Sequence, residues 1–360
     1  MVKIFCYFCI GMRTNPLISA ATAAVILLSG TAASAQSLSE YERLRMENLH
    51  LRQSVDSLRR ELKGLKSATV INLWDNLEGI EDDDAYTVDN RGFGLSGRKV
   101  ETEFARRITG SVASLGLPYD DVLKQYVDFY SVTKKRTMPA ILGRYERYLP
   151  EFRRVFARYG VPEDLIPLCI VESAVSRKAR SRAGAVGMWQ FMSGTARQYG
   201  LRVDEDVDER YDVEKSVDAA ARLLRDLRRS LGSWSYAVMA YNCGAGNVRK
   251  AVIQSGGSRD VWEVAEYLPG ETQAYIPSLV GAAYTYLHAA ELGITPVRAR
   301  AETFDAVAFE GDTTIGAVCA KAGITEAAFR NLNPEYISGR IPAGCRIKLP
   351  KGTASMLNTK

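Results

Sequence analysis

From about Val100 to residue 292, apolar residues recur at spacings of three and four with charged residues between them, the pattern of helices that each bury one face. In LPEFRRVFARYG the pattern predicts a helix opened by Pro150 and closed by Gly160, with Phe152, Val155, Phe156 and Tyr159 inward. Ser216 and Gly232 similarly bracket VDAAARLLRDLRRSL, with Val217, Ala220, Ala221, Leu224 and Leu227 on the buried stripe. An all-α domain is expected at residues 99–300, and at roughly 200 residues it can bury a substantial core unaided. Upstream the pattern changes. Tyr41, Leu44, Asn48, Leu51, Val55, Leu58, Leu62 and Leu65 form an a/d heptad seam within residues 36–66. With Asn48 at an a position, this predicts either a short parallel coiled coil, hence a homodimer, or one amphipathic helix docked on the main domain. Residues 67–98 turn acidic and Gly-containing and read as an exposed linker. Downstream, residues 304–350 read as strand, helix, helix, strand, a small βααβ domain placed at 301–352 with 353–360 as a tail.

One charge breaks the apolar pattern where it should not. Leu165, Leu168, Cys169 and Glu172 fall on one helical face, so the Glu172 carboxylate continues a buried stripe. Pro167 interrupts a helix running from Pro162 to Glu172 and leaves its start open. Desolvation raises a carboxyl pKa, which suits a general acid working near neutral pH. The alternative is a structural Glu paired with Arg177, Arg180 or Arg182. Around it, Gly184 and Gly187 mark either an ordinary tight turn or a place where a polymer could lie close to backbone. Gln190 and Asn242 each offer a donor and an acceptor, suited to sugar hydroxyls and N-acetyl groups. Ser181 reads as a partner for the Glu172 carboxyl or as a loop serine. Trp189 and Met192 read as core or groove wall.

From about Tyr130 to Tyr286 the ordered motifs resemble the family 1 lytic transglycosylases of peptidoglycan, of the membrane-bound D type with a goose-lysozyme-like fold. The carrying residues are Glu172-Ser173, SRAGAVGMWQFMSGTA from Ser181, YGL at 199–201, VDER at 207–210, SWSYAVMAYNCGAGNV from Ser233 and YLPGETQAYIP from Tyr267. The resemblance implies Glu172 as the single acid/base and Ser181, Gly187, Gln190, Met192, Tyr241, Asn242, Glu271 and Tyr275 as groove residues. It implies cleavage of the MurNAc–GlcNAc bond with a 1,6-anhydro product and no water. The chain departs from the family at Val175, Ser176 and Arg177, where an aromatic or long apolar residue and Asn-Pro are usual. Ser193 stands where Pro is frequent. Asp204, Glu205, Asp206, Asp208 and Glu209 form an acidic run that reads as a solvated loop with a structural ion pair, or as the source of a second carboxylate.

The C-terminal βααβ region resembles a LysM module. Gly311-Asp312-Thr313 matches its first turn and Ile341-Pro342-Ala343-Gly344 the loop before its last strand, while Thr314 replaces a usual Leu. The resemblance implies N-acetylglucosamine chains bound at Gly311, Asp312, Thr313, Ile341 and Gly344. The fold class expected overall is therefore mainly α, with a lysozyme-like catalytic domain, an N-terminal coiled-coil helix and a LysM-like C-terminal domain.

Residues 1–35 read as a secretory signal. PLISAATAAVILL is followed by Ala33-Ser34-Ala35, and Met12 makes a more ordinary start than Met1. No lipobox is seen, because Cys6 and Cys9 precede the apolar run. The expected location is the periplasm or cell envelope. Cys169, Cys243, Cys319 and Cys345 would remain, with Cys319–Cys345 a candidate disulfide. His50 and His288 lack the company a Ser-His-Asp triad or a His-rich zinc site needs, and no Walker or Rossmann fingerprint occurs. No cofactor or metal is implied. The net charge of +5, or +3 without the signal, suits an anionic wall polymer and gives no reason to invoke nucleic acid.

Overall fold

The computed structural model describes residues 98–297 and 303–358, with Leu77, Glu78 and the isolated positions Arg43, Met46 and Glu47. The expected signal, the coiled coil apart from Arg43, Met46 and Glu47, and the linker apart from Leu77, Glu78 and Arg98 lie outside the described residues.

The body is helical, as expected. Helix α1 (Arg98–Gly110) leads to α2 (Asp121–Asp128), which runs into a π-helical turn at Phe129–Thr133. The long α3 (Met138–Tyr159) follows, then the short α4 (Leu168–Ser173) and α5 (Ser193–Gln198). The remaining helices are α6 (Val213–Leu231), α7 (Trp234–Cys243), α8 (Ala245–Gln254), α9 (Val261–Ala265) and α10 (Gly270–Leu287). Strand β1 (Leu77–Glu78) pairs antiparallel with β2 (Arg180–Ser181).

Two expected helix starts are corrected. Pro150 does not open α3. It sits exposed inside the helix, and the Pro near the true start is Pro139. The missing N–H is tolerated because Tyr145 and Leu149 before it and Phe152 and Val155 after it are all anchored in the core. Likewise α6 begins at Val213, where Asp212 accepts from Lys215 N at 2.9 Å as N-cap, so Ser216 lies inside the helix. The expected closures hold: Gly160 and Gly232 end their helices in the left-handed conformation.

One continuous core joins these helices. Trp189, fully buried, meets Phe152 at 5.3 Å and Phe156 at 5.6 Å between ring centroids and ties the loop after β2 to α3. Helix α10 packs on α2, where a Cβ on Gly281 would lie 2.5 Å from the Tyr126 carbonyl oxygen. Such close approach is open only to glycine.

The C-terminal region has the expected strand, helix, helix, strand order, with two further two-residue strands inside it. Strand β3 (Phe304–Ala308) is followed by β4 (Thr313–Thr314), α11 (Ile315–Ala322), α12 (Glu326–Leu332), β5 (Arg340–Ile341) and β6 (Arg346–Pro350). β3 pairs antiparallel with β6 from Phe304↔Pro350 to Ala308↔Arg346, and β4 pairs with β5. Thr314 has a local task, since its hydroxyl caps α11 by accepting from Ala317 N at 3.1 Å.

The candidate Cys319–Cys345 bridge is not formed; both residues are free thiols, as are Cys169 and Cys243. Cys319 is packed into the core of the unit from α11, whereas Cys345 lies with its sulfur 3.5 Å from Arg202 Nη1.

This small core is completed from outside. Val207 of the acidic loop is buried among Ile315, Val318, Phe329, Tyr336, Ile341, Ile347 and Leu349. Around it the backbones pair: Asp208 N donates to Glu335 O at 2.8 Å and Ile337 N to Asp206 O at 3.0 Å. Ser338 Oγ donates to Asp206 Oδ1 at 2.7 Å, and Arg177 Nη2 donates to Asn331 O at 2.5 Å.

Candidate active site

Helix α4 explains why Glu172 stands out. Leu168, Cys169, Ile170, Val171 and Ser173 are all buried, so the helix is enclosed on every side, and Glu172 is its one residue that reaches the surface. Tyr275, on the adjacent face of α10 and itself buried, donates its hydroxyl to Glu172 Oε1. Burial pushes the Glu172 carboxyl up to about 8; the Tyr275 hydrogen bond pulls it down, and the Glu271 charge pushes it further up. At neutral pH the group therefore holds its proton. The structural alternative, an ion pair with Arg177, Arg180 or Arg182, is absent among the described residues.

The other expected site residues divide into two sets. On the α7 and α10 side, Asn242 Nδ2 donates to Glu271 Oε1 at 3.1 Å and Asn242 Oδ1 accepts from Thr272 Oγ1 at 2.6 Å. Tyr241 donates to the Trp189 carbonyl at 2.9 Å, which links α7 to the loop after β2. Burial raises the Tyr241 hydroxyl pKa and the Glu172 charge raises it further, so it stays protonated.

The loop from Ser181 to Met192 is more self-contained than expected. Ser181 Oγ accepts from Ala185 N at 3.0 Å and does not reach Glu172. Gly187 is buried with φ 80°, and a Cβ there would lie 2.0 Å from the Arg210 carbonyl oxygen. Its glycine is required by that neighbour, and not by an incoming polymer. Gln190 adopts φ 47° and spends its amide donor on Gly187 O at 2.8 Å. Met192 is about half exposed and presents an apolar side chain to solvent. Trp189 is core.

Four members of the acidic run, Asp204, Asp206, Asp208 and Glu209, make structural contacts, and Glu205 is exposed. Asp208 and Arg210 form a buried ion pair at 2.7 Å, and Arg210 Nη1 also donates to Gly184 O and Phe191 O. Asp204 accepts from the backbone of Asp206 and Val207, Asp206 faces the C-terminal unit and Glu209 pairs with Lys215 at 2.5 Å. A single Val between acidic residues carries no periodic signal, so sequence reasoning missed Val207 as a core residue of the C-terminal unit.

In that unit the two expected loops do meet. Thr313 pairs with Ile341, Asp312 Oδ1 accepts from Ala343 N at 2.8 Å, and Gly344 N donates to Phe309 O at 2.8 Å. Gly311 and Asp312 are exposed, but Ile341 is fully buried in the unit's core and offers no surface to a ligand.

A protonated carboxyl at the open end of an apolar helix, hydrogen-bonded by a tyrosine, is chemically able to donate a proton near neutral pH. Residues 152–262 match the family model described as the transglycosylase SLT domain. Within the helical body, the matched stretch therefore resembles that domain at moderate identity. It is 29% identical over 229 residues to membrane-bound lytic murein transglycosylase D of Escherichia coli (strain K12), covering 62% of this chain and 50% of that protein. It is 32% identical over 176 residues to membrane-bound lytic murein transglycosylase C of Edwardsiella ictaluri, covering 44% and 48%. A third relative, peptidoglycan transglycosylase gp16 of Escherichia phage T7, is 28% identical over 178 residues, covering 47% of this chain and 12% of that protein. The chain spans about half the length of the first two relatives.

Proposed function

We propose that the helical body, residues 99–300, cleaves the β-1,4 bond between MurNAc and GlcNAc in peptidoglycan and leaves a 1,6-anhydroMurNAc end. The observation that carries this reading is the half-buried Glu172 carboxyl, protonated at neutral pH and hydrogen-bonded by the Tyr275 hydroxyl. Glu172 donates its proton to the glycosidic oxygen as the C1–O bond breaks, while the substrate's N-acetyl oxygen stabilises C1. The carboxylate then removes the proton from the C6 hydroxyl, whose oxygen closes the anhydro ring. Tyr275 steadies the anion between the two steps. Met192 and Glu271, both exposed, are the groove residues with the freest access to sugar, and Asn242 is tethered to Glu271. Tyr241 and Gln190 support the groove through backbone contacts.

The βααβ unit, residues 301–352, is proposed to hold N-acetylglucosamine-containing chains at Gly311, Asp312, Thr313 and Gly344, supported by the pairing of their two loops. The relatives' names and the sequence of residues 1–35 support an exported, envelope-associated protein acting on glycan strands. A dimer through residues 36–66 remains part of the proposal.

Hydrolysis by the same acid would need a carboxylate to activate water. Glu271 is the group whose charge bears on Glu172, while Asp204, Asp206, Asp208 and Glu209 are held in structural contacts. The deciding experiment digests purified peptidoglycan with the protein and with Glu172→Gln and resolves the products by mass spectrometry. Anhydro products one water lighter than reducing ends, lost in the variant, are expected. Reducing ends would make the enzyme a muramidase, and wall binding without release would make it a scaffold.

A further inference from the structure

Helix α4 ends in an improbable way. Immediately after Glu172 and Ser173, Ala174 has φ 51° and ψ 33° and Val175 has φ 61°, two consecutive left-handed residues, neither of them glycine. A β-branched residue in that region is an outlier, and the left-handed geometry is disfavoured for any L-residue other than glycine. Strain of this kind survives only where the surroundings dictate it. Ala174 N donates to Ile170 O at 2.9 Å and Val175 N to Cys169 O at 3.1 Å, which closes the helix as a glycine cap would. Both residues are buried. Ser173 Oγ donates to Met188 O at 2.8 Å and receives Ser176 N at 3.2 Å, fixing the next turn.

The remaining clamp is Arg144 of α3. Its Nη2 and Nε donate to the single carbonyl oxygen of Ala174, at 2.8 and 3.2 Å. The guanidinium is half-buried, and burial lowers its pKa. Among the described residues it meets no carboxylate; the Ala174 oxygen is its hydrogen-bond partner. A partly desolvated cation with only a carbonyl to satisfy it is an expensive way to cap a six-residue helix. It does so two residues from the carboxyl that the Tyr275 hydroxyl must meet.

We infer that Arg144 is a positioning residue for Glu172: by pinning the Ala174 carbonyl it holds the left-handed turn that sets where the end of α4, and therefore the carboxyl, lies against Tyr275. The inference rests on the proposed role of Glu172 as the acid. The guanidinium touches no substrate. It acts through two backbone links, Arg144 to Ala174 and Ala174 to Glu172, and the long α3, anchored by Tyr145, Phe152 and Phe156, is the rigid member against which the short α4 is referenced. With the clamp gone the turn can relax toward right-handed geometry, which rotates Glu172 away from Tyr275. The carboxyl then loses the hydrogen bond that holds its pKa down, so it titrates higher.

The test uses the full chain with Arg144→Ala and Arg144→Lys. Two readouts are taken: release of products from purified peptidoglycan, and the titration of Glu172 followed by carbon-13 NMR of glutamate-labelled protein. In Arg144→Ala, kcat should fall about 100-fold with KM within about threefold, as for a displaced catalytic group. The Glu172 titration should move upward, and added guanidinium at non-denaturing concentration should recover part of the rate. Arg144→Lys, with one donor group in place of a fork, should lie between the two and serves if the alanine variant does not fold. Unchanged titration in the variants, whether the rate is retained or lost without rescue, overturns the inference. If the native protein releases neither anhydro nor reducing products, the proposed activity fails, and the Glu172 titration still decides the role of Arg144.

Discussion

The helical body and the C-terminal unit solve the same problem, closing a core, in opposite ways. The body spans about 200 residues, enough to enclose its own apolar surface, and its core is drawn from helices α1 to α10 and the loops between them. The unit of about 50 residues is below the size at which a core is reliably self-sufficient. It has no disulfide and instead takes Val207 from the body, with backbone pairing on either side of it. The difference teaches that the acidic loop, which looks on paper like a source of catalytic carboxylate, is a structural joint. Asp206 reaches across to Ser338 of the unit, while Asp204, Asp208 and Glu209 are held by neighbours within the body.

The sharpest way to break the body without touching the unit's own residues is Gly187→Ala. The added Cβ would sit 2.0 Å from the Arg210 carbonyl oxygen at a φ of 80°. A loss of about 4 kcal/mol or more is expected by denaturant unfolding, with glycan release abolished. Retained stability would mean that the loop from Ser181 to Met192 is looser than its contacts indicate.

A smaller and more local effect is expected from Val207→Asp. Placing an unpaired charge in the unit's core should cost about 3 kcal/mol. Amide hydrogen exchange should quicken in residues 315–349 and stay slow in α3 and α10. A uniform loss of protection across both regions would deny that the unit is the dependent partner.

The third comparison is electrostatic and smaller again. Each region buries one carboxyl that titrates high: Glu172 near 8, and Glu335 near 7, the latter raised by burial and by Asp212 and lowered by Lys348 and Lys215. Between the ordinary value of 4.5 and the raised one, the folded state binds more protons than the unfolded. Stability therefore falls as pH rises from 4.5 to 8 for Glu172 and from 4.5 to 7 for Glu335, and is level above. Glu172→Gln should consequently stabilise the body at pH 8 by about 2 kcal/mol while removing activity, and Glu335→Gln should stabilise the unit by about 1–2 kcal/mol. Calorimetry across this pH range would show the slope disappear in each variant. The proposed glycan-cleaving activity should fall as pH rises through about 8, where Glu172 loses its proton.

These contrasts also mark what a sequence can tell. Local chemistry was legible: Gly160 and Gly232 as helix closures, Glu172 as a carboxyl out of place on an apolar stripe, and the order of the βααβ elements. Helix starts were less so, because a proline such as Pro150 signals a first turn only when tertiary contacts on its N-terminal side do not carry the helix through it. The least legible features were those set by distant partners. Gly187 answers to Arg210, Ser181 to Ala185, Ile341 to the unit's core and Ala174 to Arg144, and no spacing rule connects those pairs. The motif residues were found; what holds each of them was not.

The joint at Val207 also bears on how this chain could be cut and recombined. A shortened protein ending near residue 297 would uncover Val207 and leave the Asp208 N–H and Asp206 carbonyl without the partners they have at Glu335 and Ile337. That is a short sticky edge, open to pairing with another copy. A graft of residues 303–358 onto a foreign host would likewise carry a hole where Val207 sits. The C-terminal unit is thus no exchangeable cassette: to move it, the loop from Asp204 to Arg210 has to travel with it.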